Sequence, residues 1–144
     1  MLFANLSWIE TGYLISSIYM IGVIWLIQLI HYPSFLYIDQ SQFILFHQKH
    51  TIMMTILVGP VMLFELCTSV YLSQSLQSVW LIQAGLVTLL FGLTFLVSVP
   101  IHNELAKKHN RKLIQKLILT NWPRTILWTL KFLIFYITSN YKVI

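Results

Sequence analysis

The chain has 144 residues, of which 58% are hydrophobic and 9% are charged, and its nine basic and four acidic side chains give a net charge of +5. Soluble globular domains carry about 25% charged residues. The composition therefore excludes a soluble enzyme, a disordered segment, a collagen-like fibre and a disulfide scaffold, and it predicts a single integral membrane domain over residues 1–144.

Four apolar segments follow one another along the chain, and each is long enough to cross a bilayer as a helix, which takes about 20 residues. They cover residues 9–30, 51–72, 79–99 and 118–138. Their hydrophobic runs are continuous rather than alternating, which argues against membrane-spanning strands. The first segment has no basic leader and no small-residue cleavage site, so we do not expect a removable signal peptide. The sequence predicts an all-α bundle of four transmembrane helices.

The positions of Lys and Arg predict how this bundle is oriented. The connection at residues 100–117 holds five basic residues and the connection at residues 31–50 holds Lys49, whereas residues 73–78 hold none. Basic loops stay on the cytoplasmic side. We therefore expect two longer cytoplasmic connections and both termini on the outer side of a bacterial-type inner membrane. The basic cluster is interpreted as a topology signal that also contacts anionic lipid, and no nucleic-acid binding is expected, because interleaved aromatic side chains are missing.

Turn and helix-breaking residues mark further boundaries within the predicted spans. Asp39 and Ser41 predict a helix that starts near Ser41 and continues into the second span. Gly59–Pro60 lies inside that span and is expected to kink or unwind it. Pro123 is expected to mark a kink or a new helix start in the fourth span.

Histidines collect at one end of the predicted bundle. His31 ends the first span, His47 and His50 precede the second, and His102 follows the third. Because successive helices alternate in direction, three helices bring these imidazoles to the cytoplasmic face. Three interpretations remain open: hydrogen bonding at the lipid headgroup boundary, a mononuclear metal site, and acid–base or substrate-binding chemistry without a metal. In the metal interpretation all four histidines are ligands of one Fe, Cu or Zn ion.

Charged side chains at membrane depth are costly and are therefore informative. Glu65 lies past the middle of the second span, and Lys131 lies at a similar depth in the fourth. Arg124 lies seven residues before Lys131, and Asn121 lies three residues before Arg124, so the three side chains share a helix face. We expect Glu65 to pair with Lys131, with Arg124 or with both. Such a pair would fix the register of the helices, or belong to a polar cavity that binds an anionic or phenolic group and opens toward the histidines, and we favour a combination of the two.

Two short motifs resemble a known family. Residues 99–105, Val-Pro-Ile-His-Asn-Glu-Leu, resemble the Val-Pro-Leu-Asn-Asn-x-Leu segment that closes the third helix of the anthrone-oxygenase-like proteins, which are small four-helix membrane proteins. Residues 121–125, Asn-Trp-Pro-Arg-Thr, resemble the Trp-Asn-x-x-Arg-Thr element at the start of their fourth helix. The elements at residues 28–33 and 59–60 are also similar to family positions.

The resemblance implies a four-helix membrane fold. For the few family members with an assigned activity it also implies oxygenation of a polycyclic phenolic anthrone, while most members have no assigned function. Asn103 and Arg124 lie at matching positions. His102 stands where the family usually has Asn, and together with the other histidines this departure favours a metal or haem over cofactor-free anthrone chemistry.

The sequence thus predicts a small membrane oxidoreductase, oxygenase-like, that acts on a lipophilic ring compound such as a quinone, polyketide or isoprenoid. The cofactor is expected to be a single transition metal (Fe, Cu or Zn) or haem, and a protein without a cofactor is also considered. The predicted catalytic residues are His102, Asn103 and Arg124. The predicted substrate-binding residues are Gln28, Glu65, Ser98, Asn121 and Lys131. The predicted metal ligands are His31, His47, His50 and His102.

Two other functions remain open at this point. One is a non-enzymatic membrane subunit or ligand-binding protein, and the other is a haem-b binding membrane protein with His31 or His102 as an axial ligand. The partners expected from the sequence are the lipid bilayer, a lipophilic small molecule, and either further copies of the chain or a larger membrane complex.

Overall fold

A computed structural model describes residues 6–141, and this part of the chain forms four long helices and no strand. The helices are α1 (Trp8–Tyr37), α2 (Gln40–Ser73), α3 (Ser78–Leu105) and α4 (Arg111–Tyr141). Each predicted span lies within one of them. The all-α prediction is therefore confirmed for the described residues.

Three of the four helices are long and apolar enough to cross a membrane. The most apolar windows of α1, α2 and α3 have mean hydropathies of 2.0, 1.8 and 2.2. Within residues 6–141, α4 does not reach this level, because basic and polar side chains interrupt its apolar sequence. The two chain termini, whose side of the membrane was predicted from the sequence, lie outside the described residues.

The outer faces of the helices are apolar. Large aliphatic and aromatic side chains on them are exposed, among them Ile15 at 63%, Leu96 at 79% and Ile56 at 60%. Soluble proteins rarely expose continuous apolar surface of this extent. The outward side chains therefore agree with the hydropathy in indicating a membrane protein.

Short polar residues define the starts of the helices. Ser7 and Glu10 form a reciprocal capping box at the start of α1, with Ser7 N donating to Glu10 Oε2 at 2.8 Å. Asp39 occupies the cap position of α2, close to the predicted start near Ser41, but its side chain makes no capping hydrogen bond. The side chain of Asn110 accepts from the first backbone N–H groups of α4.

Two π-turns interrupt the regular helix geometry, at Ile27–His31 in α1 and at Thr94–Ser98 in α3. Each ends two residues before a proline, Pro33 or Pro100. Proline has no N–H, and its ring clashes with the carbonyl of the residue four before it, so a wider turn there relieves the backbone. The expected unwinding at Gly59–Pro60 is not seen, because α2 continues as one α-helix through it.

The four helices pack as a ring in which α1 and α3 each contact α2 and α4. Three apolar layers fill its interior. One layer surrounds Phe35 and Phe43 at the end that carries the histidines, one surrounds Ile24 and Trp128 in the middle, and one surrounds Tyr13, Trp80 and Phe135 at the opposite end. Polar side chains are embedded in and between these layers, so they are shielded from the surroundings of the bundle.

Candidate functional site

Imidazoles from three helices meet at one end of the bundle. His31 comes from the π-turn of α1, His47 and His50 from α2, and His102 from α3. His31 Nε2 lies 2.6 Å from His50 Nδ1, and His47 Nε2 lies 2.9 Å from His102 Nδ1. The ring centroids of His50 and His102 are 5.4 Å apart. The structure thus brings together the four histidines that the sequence placed at one end, and we name them the histidine cluster.

Two aromatic side chains hold the histidine cluster in place. The Tyr32 hydroxyl lies 3.1 Å from His102 Nε2, and Tyr32 is buried. Phe35 is completely buried, with its ring centroid 5.1 Å from that of His50 and 5.3 Å from that of His31. Both residues belong to the short stretch after the π-turn of α1. This stretch therefore supplies a hydrogen-bond partner and part of the apolar packing of the imidazoles, and Phe43 of α2 stacks on His47.

A cavity of about 230 Å³ extends from the histidine cluster along α2 and α3. Its polar end is lined by Tyr32, His50, His102 and Arg124, and the remaining wall is mostly apolar. The backbone of α2 lies close to α3 mainly along the half of α3 that begins at Ser78. Near the histidines the two backbones are farther apart, and only side chains connect them.

The cavity reaches the outer surface between these helices. Two of the residues that line it, Thr55 on α2 and Phe95 on α3, are exposed on the side of the bundle. An apolar ligand could therefore enter from the side, through the face that the membrane would cover. The residues that form the apolar wall are Ile27, Met54, Val58, Met62, Phe91 and Phe95.

The hydrogen bonds of the histidine cluster limit where its protons lie. A neutral imidazole has one N–H donor and one acceptor nitrogen. His47 Nδ1 is buried and has no hydrogen-bond partner among residues 6–141. If His102 donated to His47 Nε2, the proton of His47 would lie on this buried nitrogen without an acceptor, which is costly.

The arrangement that avoids this cost has a defined direction. His47 donates from Nε2 to His102 Nδ1, and His102 then donates from Nε2 to the Tyr32 oxygen. The Tyr32 O–H is left to face a group in the cavity that Tyr32 lines. The three side chains therefore form a chain of proton carriers that ends at the cavity.

The described residues include no group of three or more His, Cys, Asp or Glu side chains placed to hold a metal ion. The imidazole nitrogens face each other in two hydrogen-bonded pairs instead of pointing at a common centre. A metal ion at this place would require the rings to turn from each other toward that centre. The predicted metal or haem site stays a prediction.

A second polar cluster lies beside the cavity and joins α1, α3 and α4. Arg124 Nη1 donates to Ser98 Oγ at 3.1 Å and to Asn121 Oδ1 at 3.0 Å. Asn121 Nδ2 donates to Gln28 Oε1 at 2.9 Å, and Gln28 Nε2 donates to the Ile118 carbonyl at 3.2 Å. Ser98 and Arg124 line the cavity, while Gln28 and Asn121 hold the guanidinium from behind.

Glu65 and Lys131 form a buried ion pair, with 2.9 Å between Oε1 and Nζ and no exposure of either side chain. Lys131 Nζ also donates to Ser17 Oγ at 2.8 Å and to the Tyr13 hydroxyl at 3.2 Å, so all three ammonium protons have acceptors. Gln83 accepts from Tyr13 and donates to the Lys131 carbonyl. These five residues, which we name the ion-pair cluster, come from all four helices.

The ion-pair cluster is separate from the cavity. Glu65 lies fifteen residues after His50 along α2, which corresponds to about 22 Å at 1.5 Å per residue. Neither Glu65 nor Lys131 lines the cavity. The sequence left open whether this pair fixes the packing of the helices or belongs to a ligand-binding cavity. Its separation from the cavity agrees with an ion pair that fixes the packing of the helices.

The predicted site residues therefore separate into five groups. His50, His102, Ser98 and Arg124 line the cavity, and His31 and His47 are paired with lining residues. Gln28 and Asn121 lie behind Arg124, and Glu65 and Lys131 lie elsewhere. Asn103, predicted to be catalytic, is exposed on α3 and does not line the cavity.

Sequence reasoning missed Tyr32 and Phe35 at the histidine cluster, and Tyr13 and Gln83 at the ion-pair cluster. Aromatic residues are common in apolar spans, so nothing in the sequence distinguished these from packing residues. Among these aromatic residues, only Tyr32 carried a signal of a site role, because it directly follows His31. Gln83 is the one amide side chain in the third predicted span, and this position was a signal because an unpaired amide in a membrane is costly.

The chain was compared with family models, with curated proteins and with solved structures, and none of them matches. The motifs at residues 99–105 and 121–125 therefore remain the basis of the resemblance to anthrone-oxygenase-like proteins. In the structure, the first motif ends α3 and the second lies in α4. They contribute His102 and Arg124 to the same cavity.

Proposed function

We propose that this chain is a small integral membrane oxidoreductase, oxygenase-like, that oxidises a lipophilic ring compound of the quinone, polyketide or isoprenoid type. One observation carries the proposal. An apolar cavity that opens on the side of the bundle ends at imidazoles that are themselves linked to further imidazoles. Such a site combines a place for an apolar ring with groups that accept and return protons.

The proposal includes the membrane arrangement of the chain. We place α4 across the bilayer as the fourth span, because its two internal charges are accommodated by the bundle: Lys131 is paired with Glu65, and Arg124 is turned to the cavity. The exposed basic residues at the start of α4, including Lys112 and Lys116, favour a cytoplasmic position for the histidine end of the bundle. Both termini would then lie on the outer side of a bacterial-type inner membrane.

The proposed reaction uses dioxygen as the oxidant. A ring substrate with an activated CH₂ group loses a proton to His50, and the resulting carbanion forms a C–O bond to dioxygen. The resulting peroxide anion takes a proton back to give a hydroperoxide, which then loses water and leaves a carbonyl group. In total, CH₂ and O₂ become C=O and H₂O, so the carbon loses four electrons and dioxygen gains four.

The side chains have distinct parts in this reaction. His50 is the proton acceptor, since it lines the cavity and its Nε2 takes no part in the pair with His31. His102 also lines the cavity and returns a proton to it through Tyr32. His47 and Tyr32 continue the proton chain on either side of His102. A positioned base contributes a factor of about 10² to 10⁴ to the rate of such a step.

Oxygen uptake in nanodiscs tests this proposal, with anthrone as the probe and the carbonyl product followed by absorbance. We expect His50→Ala and His102→Ala to lower the rate about 100-fold or more. His109→Ala is the matched control, because His109 lies at the same end but packs on Phe43 outside the cluster. Equal rates for all three variants and the unchanged protein would refute the catalytic assignment.

Two further measurements separate the cofactor alternatives. Elemental analysis of the purified protein detects a stoichiometric metal, and an absorbance spectrum detects a haem by its Soret band. If a metal is present and the histidine variants lose it, the cluster is a metal site. Binding of ring compounds without oxygen uptake would instead identify a non-enzymatic ligand-binding protein.

A further inference from the structure

Arg124 is a buried cation without a carboxylate partner among the described residues. Its side chain is 6% exposed, and the guanidinium group keeps its charge in proteins. The two ion pairs found within residues 6–141 are Lys107 with Glu104 and Lys131 with Glu65. Arg124 takes part in neither.

The chain has so few acidic side chains that each of them can be checked as a partner of Arg124. The chain has four carboxylate side chains in total. Glu10 accepts from the backbone of Ser7 at the start of α1, Asp39 is exposed before α2, and Glu104 is exposed and paired with Lys107. Glu65 is enclosed in the ion-pair cluster. None of them neutralises Arg124.

The hydrogen bonds of Arg124 also leave donor capacity unused. Nη1 donates to Ser98 and Asn121, whereas Nε is buried and has no hydrogen-bond partner in the described part of the chain. Arg124 lines the cavity together with Tyr32 and His102. A buried charge with an unused donor is costly, and an oxyanion in the cavity would remove both costs.

We propose that the cavity binds an organic anion, an apolar ring compound whose carboxylate or phenolate oxygen pairs with Arg124. This proposal rests on the proposed function, since it names the substrate class of the same cavity. The anionic oxygen lies at Arg124 and the Tyr32 hydroxyl, and the ring lies along the part of the apolar wall formed by Ile27 and Met54. The reacting part of the ring is then held beside His50 and His102.

Binding without turnover tests this proposal. Protein in phosphatidylcholine nanodiscs is titrated under argon with radiolabelled 2-naphthoate and with 2-naphthyl methyl ketone, an uncharged compound of similar shape, and empty nanodiscs are subtracted. We expect naphthoate to bind at least 10-fold more tightly than the ketone. Arg124→Gln should weaken naphthoate binding about 10- to 100-fold and change ketone binding less than 3-fold.

Matched variants separate the loss of the charge from the loss of the fold. Arg124→Lys keeps the charge without the Nε donor and should retain part of the affinity. Arg111→Gln removes an exposed arginine from the start of α4 and should leave both ligands unaffected. Unchanged ketone binding in Arg124→Gln shows that the cavity is intact.

Three results would overturn the proposal: equal affinity of the unchanged protein for the two probes, naphthoate binding that is insensitive to Arg124→Gln, or displacement of naphthoate when phosphatidylglycerol is added to the nanodiscs. The last result would identify a lipid phosphate, and not a ring compound, as the anion. The test is independent of oxidation, because it is carried out under argon and measures binding alone. If the histidine variants keep their oxygen uptake while Arg124→Gln loses naphthoate binding, the histidine assignment is wrong and the anion site is correct.

Discussion

Replacing Glu65 by Gln should destabilise the bundle strongly, because it leaves the Lys131 ammonium buried without a counter-ion. At 2.9 Å the two charges attract each other by about 6 kcal/mol at an effective dielectric constant of about 20. Removing both ions from water costs several kcal/mol each, so the pair as a whole contributes little net stability. Breaking it by removing one partner costs about 3–5 kcal/mol.

The hydrogen bonds that remain in each single variant determine where in this range its loss of stability should lie. In Glu65→Gln, Lys131 still donates to Tyr13 and Ser17, so we expect a loss near 3 kcal/mol. In Lys131→Met, the Glu65 carboxylate keeps the Ser16 and Ser17 hydroxyl donors, and a loss of about 3–5 kcal/mol is expected. The double variant has no buried charge in this cluster, and its stability should return to within about 2 kcal/mol of the unchanged protein.

The free energy of unfolding can be measured by titration with sodium dodecyl sulfate in mixed micelles, as a double-mutant cycle. Lys107→Met is the control, because it removes a lysine from an exposed ion pair and should not change the unfolding curve. If each single variant lost less than about 1 kcal/mol, or if the double variant were as unstable as the worse single one, the assignment of a coupled buried pair would be refuted.

Other predictions follow from the packing and the topology. Phe35→Ala removes a fully buried ring from among the imidazoles, so it should cost about 3–5 kcal/mol in the same titration, and Phe35→Leu should cost less than half of this. Gly59→Ala should stabilise α2 by about 0.5–1 kcal/mol, since a Cβ there meets no atom within 4 Å. A loss of stability in this variant would show that the position has no room for a methyl group. In a cysteine-free background, Lys108→Cys should react with an impermeant maleimide from the cytoplasmic side, whereas Ser75→Cys and Ser139→Cys should react from the outer side. Labelling of residues 75 and 139 from opposite sides would refute α4 as a span.

The helices were predictable because an apolar segment of about 20 residues has few other ways to satisfy its backbone. The same constraint explains why the four histidines could be placed at one end from their positions near the predicted span ends. The fourth helix also appears where it was predicted, even though Arg124 and Lys131 lower its hydropathy.

The partners of the polar residues could not be predicted in the same way. Glu65 had two candidate cations, and the choice of Lys131 depends on hydroxyl groups of α1 that lie close to it in space. The exposure of Asn103 depends on the rotation of α3, which a motif match does not contain. Pairwise contacts between helices are set by packing in three dimensions, whereas hydropathy reports only on each helix by itself.

The π-turns in α1 and α3 each set how the helix segment after the turn is rotated around the helix axis relative to the segment before it. A π-turn holds one residue more than an α-helical turn, and one residue corresponds to a rotation of about 100° around the helix axis. Deleting one residue within Ile27–His31 would restore a regular helix, but it would rotate Tyr32 and Phe35 away from the imidazoles while the Tyr13 side of α1 kept its contacts with Lys131. The extra residue is therefore dispensable for the ion-pair cluster, whereas the contacts of Tyr32 and Phe35 with the histidine cluster depend on it.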